Sequence, residues 1–524
     1  LYANTTADNN TAVGYNALVA NTTGTRNVAV GALALDAATT VDNNTACGYA
    51  ALGSNTTGTL LVSMGAYSLV ANTTGIRNTA LGYESMSSNT TGSHNTAVGT
   101  YALSQPTGAN DNTAVGYYAL YANTTGHSNI GVGSSALTNN TTGIRNIAIG
   151  AYALDANTTA NNNVAIGFES LSGNTTGAHN TATGTYTLTG NTTGSQNTGL
   201  GYGALYTNTT ASDNTAVGYQ AMLWNTTGNN NVALGRAALT ANTTGANNAA
   251  LGKGALTSNT TGDENTAVGM EALAANTTAN VNTACGYASL YANTTGTNNV
   301  AVGHAAMYQN TTGGSNVAIG KAALDANTTG DLNTAVGYAA LSAQTANAYN
   351  TAVGGNSMEA TTTGSFNAAL GRLSLTSNTT GSRLTACGYG ALGANTTANN
   401  NTGVGYNALA NNTTATGNTA VGAYSADANT TGFSNTSLGS ESLSANTTGS
   451  NNTSVGKDSL QASTTGHHNT AVGKDALQYN TTAHDNTAVG YMCLRKNTTG
   501  SNNVGVGCSA LQESSTGSHC TAMG

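Results

Sequence analysis

Glycine returns at every seventeenth residue of this chain, and no other feature limits its possible folds so sharply. From Gly14 the step runs through Gly31, Gly48, Gly65 and Gly82 to Gly524 without an insertion or deletion, giving 31 copies in 524 residues. A fixed period held this long is the mark of a solenoid, in which each repeat is one structural unit stacked on the last. The unit reads Asn-Thr-Ala-Val-Gly-Tyr-x-Ala-Leu-x-x-Asn-Thr-Thr-Gly-x-x, and its seventeen positions behave as columns. Position five is Gly in every copy, whereas position fifteen also accepts Ala160, Ala211, Ala398 and Ala483. A column that refuses even a methyl group calls for positive φ or a close backbone approach, so the position-five glycines are read as sharp corners.

Positions two and four (Thr11 and Val13, Val28 and Val30, Ile147 and Ile149) have the period of two expected of a strand. These larger side chains are expected to point inward, with Ala29 and Ala148 facing out between them. Leu or Met at position nine, beside Ala or Ser at position eight, predicts a second short strand, and Asn-Thr-Thr-Gly reads as a turn. Helical repeats of about 33–47 residues and leucine-rich repeats of about 20–29 are both too long for this period. The expected fold is therefore an all-β parallel β-solenoid, or β-roll, of 31 coils forming one array over residues 1–524. Coils about 4.8 Å apart would extend that array over roughly 150 Å.

The recurring asparagines at position one (Asn10, Asn27, Asn44) and position twelve (Asn21, Asn55, Asn72) are expected to form amide ladders that fix the register. Interruptions include Leu61, Leu384 and Cys520 in the first column and Ala38, Pro106 and Thr361 in the second. One coil buries few aliphatic side chains against the entropy of ordering seventeen residues, so stacking, and the winding together of several chains, is expected to supply the rest.

Charged residues make up 6% of the chain and its 12 Lys and Arg form no stripe, which argues against a nucleic-acid partner. No apolar run nears the roughly 20 residues needed to cross a bilayer, so this segment is not expected to insert in a membrane. Cys47, Cys285 and Cys387 occupy position four and are expected to be inert core thiols, while Cys493, Cys508 and Cys520 gather towards the C-terminal end. His467 and His484, one period apart with His468 and Asp485 beside them, are a candidate metal pair. The competing reading is a solvated turn, because no Cys or Glu completes a coordination shell. Positions sixteen and seventeen vary most, and Arg26, Arg77, His94 and Phe366 are the candidate contacts for a cell-surface receptor; the plainer reading is a turn that tolerates any residue. No nucleophile is paired with a base or acid, so neither an enzyme nor a cofactor is expected. The Asn-Thr-Thr triplet is a glycosylation sequon in most coils, and glycans crowded that closely could not pack, which favours a bacterial or viral source.

The run Asn-Val-Ala-Val-Gly-Ala-Leu-Ala-Leu at 27–35 and its sister Asn-Ile-Ala-Ile-Gly-Ala-Tyr-Ala-Leu at 146–154 resemble the head repeat of trimeric autotransporter adhesins, although the period here is longer. That resemblance implies a left-handed β-roll with three chains packed side by side. The longer unit with its Asn-Thr-Thr-Gly turn is similar to repeats of phage and marine bacterial tail-fibre-like proteins, where such arrays form the shaft. The expected function is thus a structural shaft of an extracellular filament or of a fibre on a cell or virion surface. The chain is expected to associate with itself, as a trimer or end to end, and to be a segment of a longer fibre protein. The alternative is an ice-binding solenoid. Adjacent Thr22 and Thr23 count against it, because neighbours on a strand face opposite sides.

Overall fold

The computed structural model describes residues 2–524. It is an all-β solenoid of 31 three-residue strands, all parallel, one per seventeen-residue coil, and the described residues contain no helix. Two compact units are distinguished, Leu1–Glu264 and Asn265–Gly524. The first carries fifteen strands, from Thr11–Val13 to Ala249–Leu251, and the second carries sixteen, from Thr266–Val268 to Thr521–Met523. Pairing is in register at one full repeat: Thr11 faces Val28, Ala12 faces Ala29 and Val13 faces Val30.

Inter-coil hydrogen bonding continues well beyond the strands. The amide of position two donates to the position-one carbonyl of the following coil (Thr11 to Asn27, 2.9 Å), and that of position five to the position-four carbonyl of the preceding one (Gly31 to Val13, 2.8 Å). Positions seven, nine and thirteen add Leu33 to Tyr15 (2.8 Å), Leu18 to Ala34 (3.0 Å) and Thr22 to Thr39 (2.8 Å). Most of the coil's backbone is thus satisfied by its neighbours, which is what allows so polar a sequence to bury its main chain.

The strand faces the other way from the sequence expectation. Position-three alanines such as Ala29, Ala46 and Ala148 are fully buried, while Val28 and Val30 on either side are 38% and 37% exposed. The reason is the thinness of the coil. At Gly131, which replaces this alanine, an added Cβ would already lie 3.2 Å from both the Ala136 carbonyl oxygen and Leu120 Cγ. Only a methyl or hydroxymethyl group fits, and Ser63, Ser437 and Ser454 use the same space to donate to the carbonyls of Ser68, Ser442 and Ser459 at 2.8, 2.7 and 2.8 Å. Cys285 and Cys387, at position four, are therefore exposed and Cys47 half-buried, so none is a core thiol; Cys493, at position eight, is the buried one.

The second strand does not form either. Residues at positions seven and nine adopt left-handed φ, as in Leu33 (60°), Leu35 (51°) and Leu52 (54°), so the chain turns twice and places both position eight and position nine inside. A left-handed leucine costs about 1–2 kcal/mol, and complete burial of the side chain, worth about 2 kcal/mol, offsets it. The corner glycines Gly14, Gly31, Gly48, Gly65 and Gly82 lie at φ between 133° and 140°. A Cβ on Gly14 would sit 2.6 Å from the Gly31 carbonyl carbon, so both strain and contact exclude a side chain. Position fifteen differs: its glycines keep ordinary φ and are small because the next coil and the position-twelve amide crowd them, as at Gly75, where a Cβ would approach Asn72 Oδ1 to 2.6 Å.

Candidate binding faces and internal ladders

Two asparagine columns run inside the coils and share one acceptor. Asn72 at position twelve donates from Nδ2 to Asn55 Oδ1 (3.0 Å) and to the Gly75 carbonyl (3.1 Å). Asn44 at position one donates to the Gly58 carbonyl (3.0 Å), and its own Oδ1 accepts the amide of residue 61 in the next coil (3.0 Å). Asn10, Asn21 and Asn27 make equivalent bonds to the Gly24 and Val41 carbonyls. Asn21, Asn27, Asn44, Asn55 and Asn72 are fully buried. Replacing Asn by Leu61 or Leu384 keeps the backbone rung and loses only the side-chain part, since Leu61 and Leu384 still donate their amides to Asn44 and Asn367. The asparagines of the Asn-Thr-Thr triplets are thus buried and hydrogen-bonded in the folded coil, where their nitrogens are closed to a glycan.

Position sixteen, which reads as free variation, supplies caps. Where the residue carries an acceptor, its side chain takes the position-sixteen amide of the preceding coil: Asp42 from Thr25 (2.6 Å), Asn161 from Ile144 (2.7 Å) and Ser195 from Ala178 (3.1 Å). The Thr25 amide and hydroxyl hold the Asp42 carboxyl below its ordinary range. His467 and His484 belong to this column. Their rings stack at 5.1 Å, and their Nδ1 atoms accept the amides of Ser450 (2.8 Å) and His467 (2.9 Å). These bonds require neutral imidazoles, and burial, with His484 and His468 nearby, holds His467 below the usual histidine range. Among the described residues no group of three or more His, Cys, Asp or Glu is placed to hold a metal ion.

Position seventeen faces solvent with left-handed φ, at 58° for Arg26, 55° for Arg77, 60° for His94 and 61° for Phe366. These side chains meet the equivalent residues of adjacent coils. Arg26 Nε donates to Asn43 Oδ1 (2.7 Å), Arg77 contacts His94 Nε2 (3.2 Å), His94 lies 3.8 Å from Asp111, and Phe366 stacks on Tyr349 at 5.1 Å.

The concave surface lies elsewhere, at the corner after each position-five glycine, where positions six, seven, ten and eleven of successive coils meet. Tyr152, Asp155, Glu169 and Ser172 line a cleft of about 290 Å³, and Tyr424, Asp427, Glu441 and Ser444, sixteen periods on, line one of about 280 Å³. Burial raises Asp155 and Asp427, with Glu169 and Glu441 adding to the rise. Leu33, Asp36 and Ala50 border a third, of about 470 Å³. Tyrosines form runs along this corner: Tyr49, Tyr67, Tyr83 and Tyr101 follow one another at 5.2, 6.2 and 5.6 Å, mostly edge to face. Sequence reasoning missed this face because Tyr67 and Tyr83 are sixteen residues apart, not seventeen; position seven of one coil packs on position six of the next.

No family model matches the chain, and no curated protein is found to be similar to it. No helix among the described residues is long and apolar enough to cross a membrane.

Proposed function

We propose that the chain is a shaft-forming segment of a fibre on a cell or virion surface, in which several copies pack side by side through their strand faces. The observation that carries this reading is the outward position-four rank. Val30, Ile149, Leu200 and Leu234 stand 37%, 40%, 46% and 38% exposed, and within the first unit Thr183 alone breaks this apolar rank. Contiguous apolar surface of this extent marks an interaction site. Covering the exposed part of one such side chain is worth about 1 kcal/mol, so the fifteen strands of the first unit would supply on the order of 10 kcal/mol before the cost of association. A trimer, as the adhesin-like repeats imply, would bury two edges of this face on every chain.

Light scattering on the purified chain tests the proposal. The expected result is a multimer that Leu200→Glu with Leu234→Glu converts to monomers of unchanged circular dichroism; a wild-type chain monomeric at tens of micromolar would sink it. Ice binding is a second reading, favoured by the outward column of Thr79, Thr96 and Thr113 at one-coil spacing. It predicts thermal hysteresis, and a value of zero removes it.

A further inference from the structure

We infer that the corner face of residues 152–224 is a carbohydrate-binding groove, with its principal subsite at Gly203. Tyr152, Phe168, Tyr186, Tyr202 and Tyr219 form an aromatic run with ring centroids 6.2, 5.6, 5.9 and 5.4 Å apart. Position seven carries Tyr in the coil before and Gln220 in the coil after, but Gly203 in between. The missing side chain opens a cleft of about 280 Å³ walled by Tyr186, Tyr202 and Tyr206 on one side and by Gln220 and Trp224 on the other.

The lining selects the ligand class. Tyr186 meets Tyr202 and Tyr206 nearly at right angles, 88° and 86°, so ring faces and edges border the same space. The polar groups among them are phenol hydroxyls, one carboxamide and the Trp224 indole N–H, all neutral, and no charged side chain lines the cleft. An anion would find no cation there, and a cation no carboxylate. A pyranose ring presents apolar C–H faces ringed by neutral hydroxyls, which is the complement of aromatic faces interleaved with hydroxyl and amide groups. The cleft has room for on the order of one to two such rings. A sugar residue in an extended glycan is about as long as one coil, roughly 5 Å, so an unbranched chain lying along the coil axis keeps step with the aromatic run. Tyr202 and Trp224 are 47% and 51% exposed, available without any opening motion.

Trp224 is the only tryptophan of the chain and reports directly on the cleft. Its emission in the full chain is to be followed on titration with cellotetraose, mannotetraose and maltotetraose, each to about 10 mM. The expected result is a saturable change with at least one of them, weakened about tenfold or more by Tyr202→Ala and by Gly203→Tyr. The second variant restores the residue that Tyr67, Tyr101 and Tyr152 supply at this position with the same left-handed φ, so it fills the cleft without asking anything new of the coil. No saturable change with any of the three sugars, or binding that Gly203→Tyr leaves intact, overturns the inference. The oligomeric state, measured separately, decides the shaft reading whatever the titration shows.

Discussion

At Ser463 the position-twelve ladder is broken inside otherwise regular coils, and Ser463→Asn should repair it. Asn446 Nδ2 donates normally to Asn429 Oδ1 (2.7 Å) and to the Gly449 carbonyl (3.0 Å), but Asn446 Oδ1 and Ser463 Oγ have no partner although both are buried. The backbone is already that of the asparagine column, since the Ser463 amide donates to Leu460 at 3.1 Å as the Asn446 amide does to Leu443 at 3.2 Å. Gly466 follows at position fifteen, as Gly449 follows Asn446, so the room for a carboxamide is present. The substitution gives Asn446 Oδ1 a donor and removes an unsatisfied hydroxyl. Each buried orphan costs about 1–3 kcal/mol, and fixing the longer side chain costs about 1 kcal/mol, so the net gain should be about 2 kcal/mol. Unfolding of a long solenoid is not two-state, because each coil is held by its neighbours. The gain should therefore be read locally, by hydrogen exchange of peptides spanning 446–483, as protection raised about thirtyfold. Exchange there that is unchanged or faster would refute the account of the ladder as a stabilising element.

Gly235→Ala should cost about 3 kcal/mol or more, because Gly235 has φ 137° and its Cβ would lie 2.6 Å from the Gly252 carbonyl oxygen; lost exchange protection around residues 232–252 is the measure. Acid should open the coils at His467. Its pKa is depressed in the folded chain, so the stability it contributes is complete above about 6.5, the unfolded value, and is lost as pH falls towards the folded one. The Ser450 amide should lose protection between pH 7 and 5, values taken about the histidine range, whereas His467→Asn, which keeps an acceptor as Asn161 does, should hold it. A thiol reagent at neutral pH should modify Cys508, which is exposed and lies off the strand face, in the folded chain and reach Cys493 only after unfolding, because Cys493 is buried and its thiol pushed up by that burial; mass spectrometry of the labelled peptides separates the two.

The period, the corner glycines and the asparagine ladders were legible because each is a property of a column, and 31 copies make columns visible. Strand phase was not. Thr-Ala-Val has a period of two, but periodicity says only that Ala differs in direction from its neighbours, and the assumption that the larger side chains lie inside decided the matter wrongly. In a globular domain that assumption serves, since a sheet packs on another layer about 10 Å away. Here the opposite wall is the position-eight carbonyl of the same coil, as the 3.2 Å approach at Gly131 demonstrates, and small residues inside are a geometric necessity. The same thinness explains why Leu18 and Leu35 take left-handed φ: a strand at positions eight and nine would send one of the pair out, while the turn buries both.

Seen in this way, variability in a column does not mean freedom. Position sixteen accepts Asp42, Asn161, Ser195 and His467, four chemistries that share one acceptor atom within reach of the preceding coil's amide. Other coils place Ile144, Ala178 or Phe433 there and have no such cap, so the column is ordered by function only where it carries an acceptor. Positions six, seven, ten and eleven, by contrast, include glycine, tyrosine, arginine and glutamate with no common bonding role. Their variation follows position along the coils, gathering rings from Tyr152 to Tyr219 and paired carboxyls at Asp155 with Glu169 and Asp427 with Glu441. A coil whose register is fixed by buried amides can vary that corner from one repeat to the next without disturbing its neighbours, and this is the surface on which chemical differences between coils can accumulate.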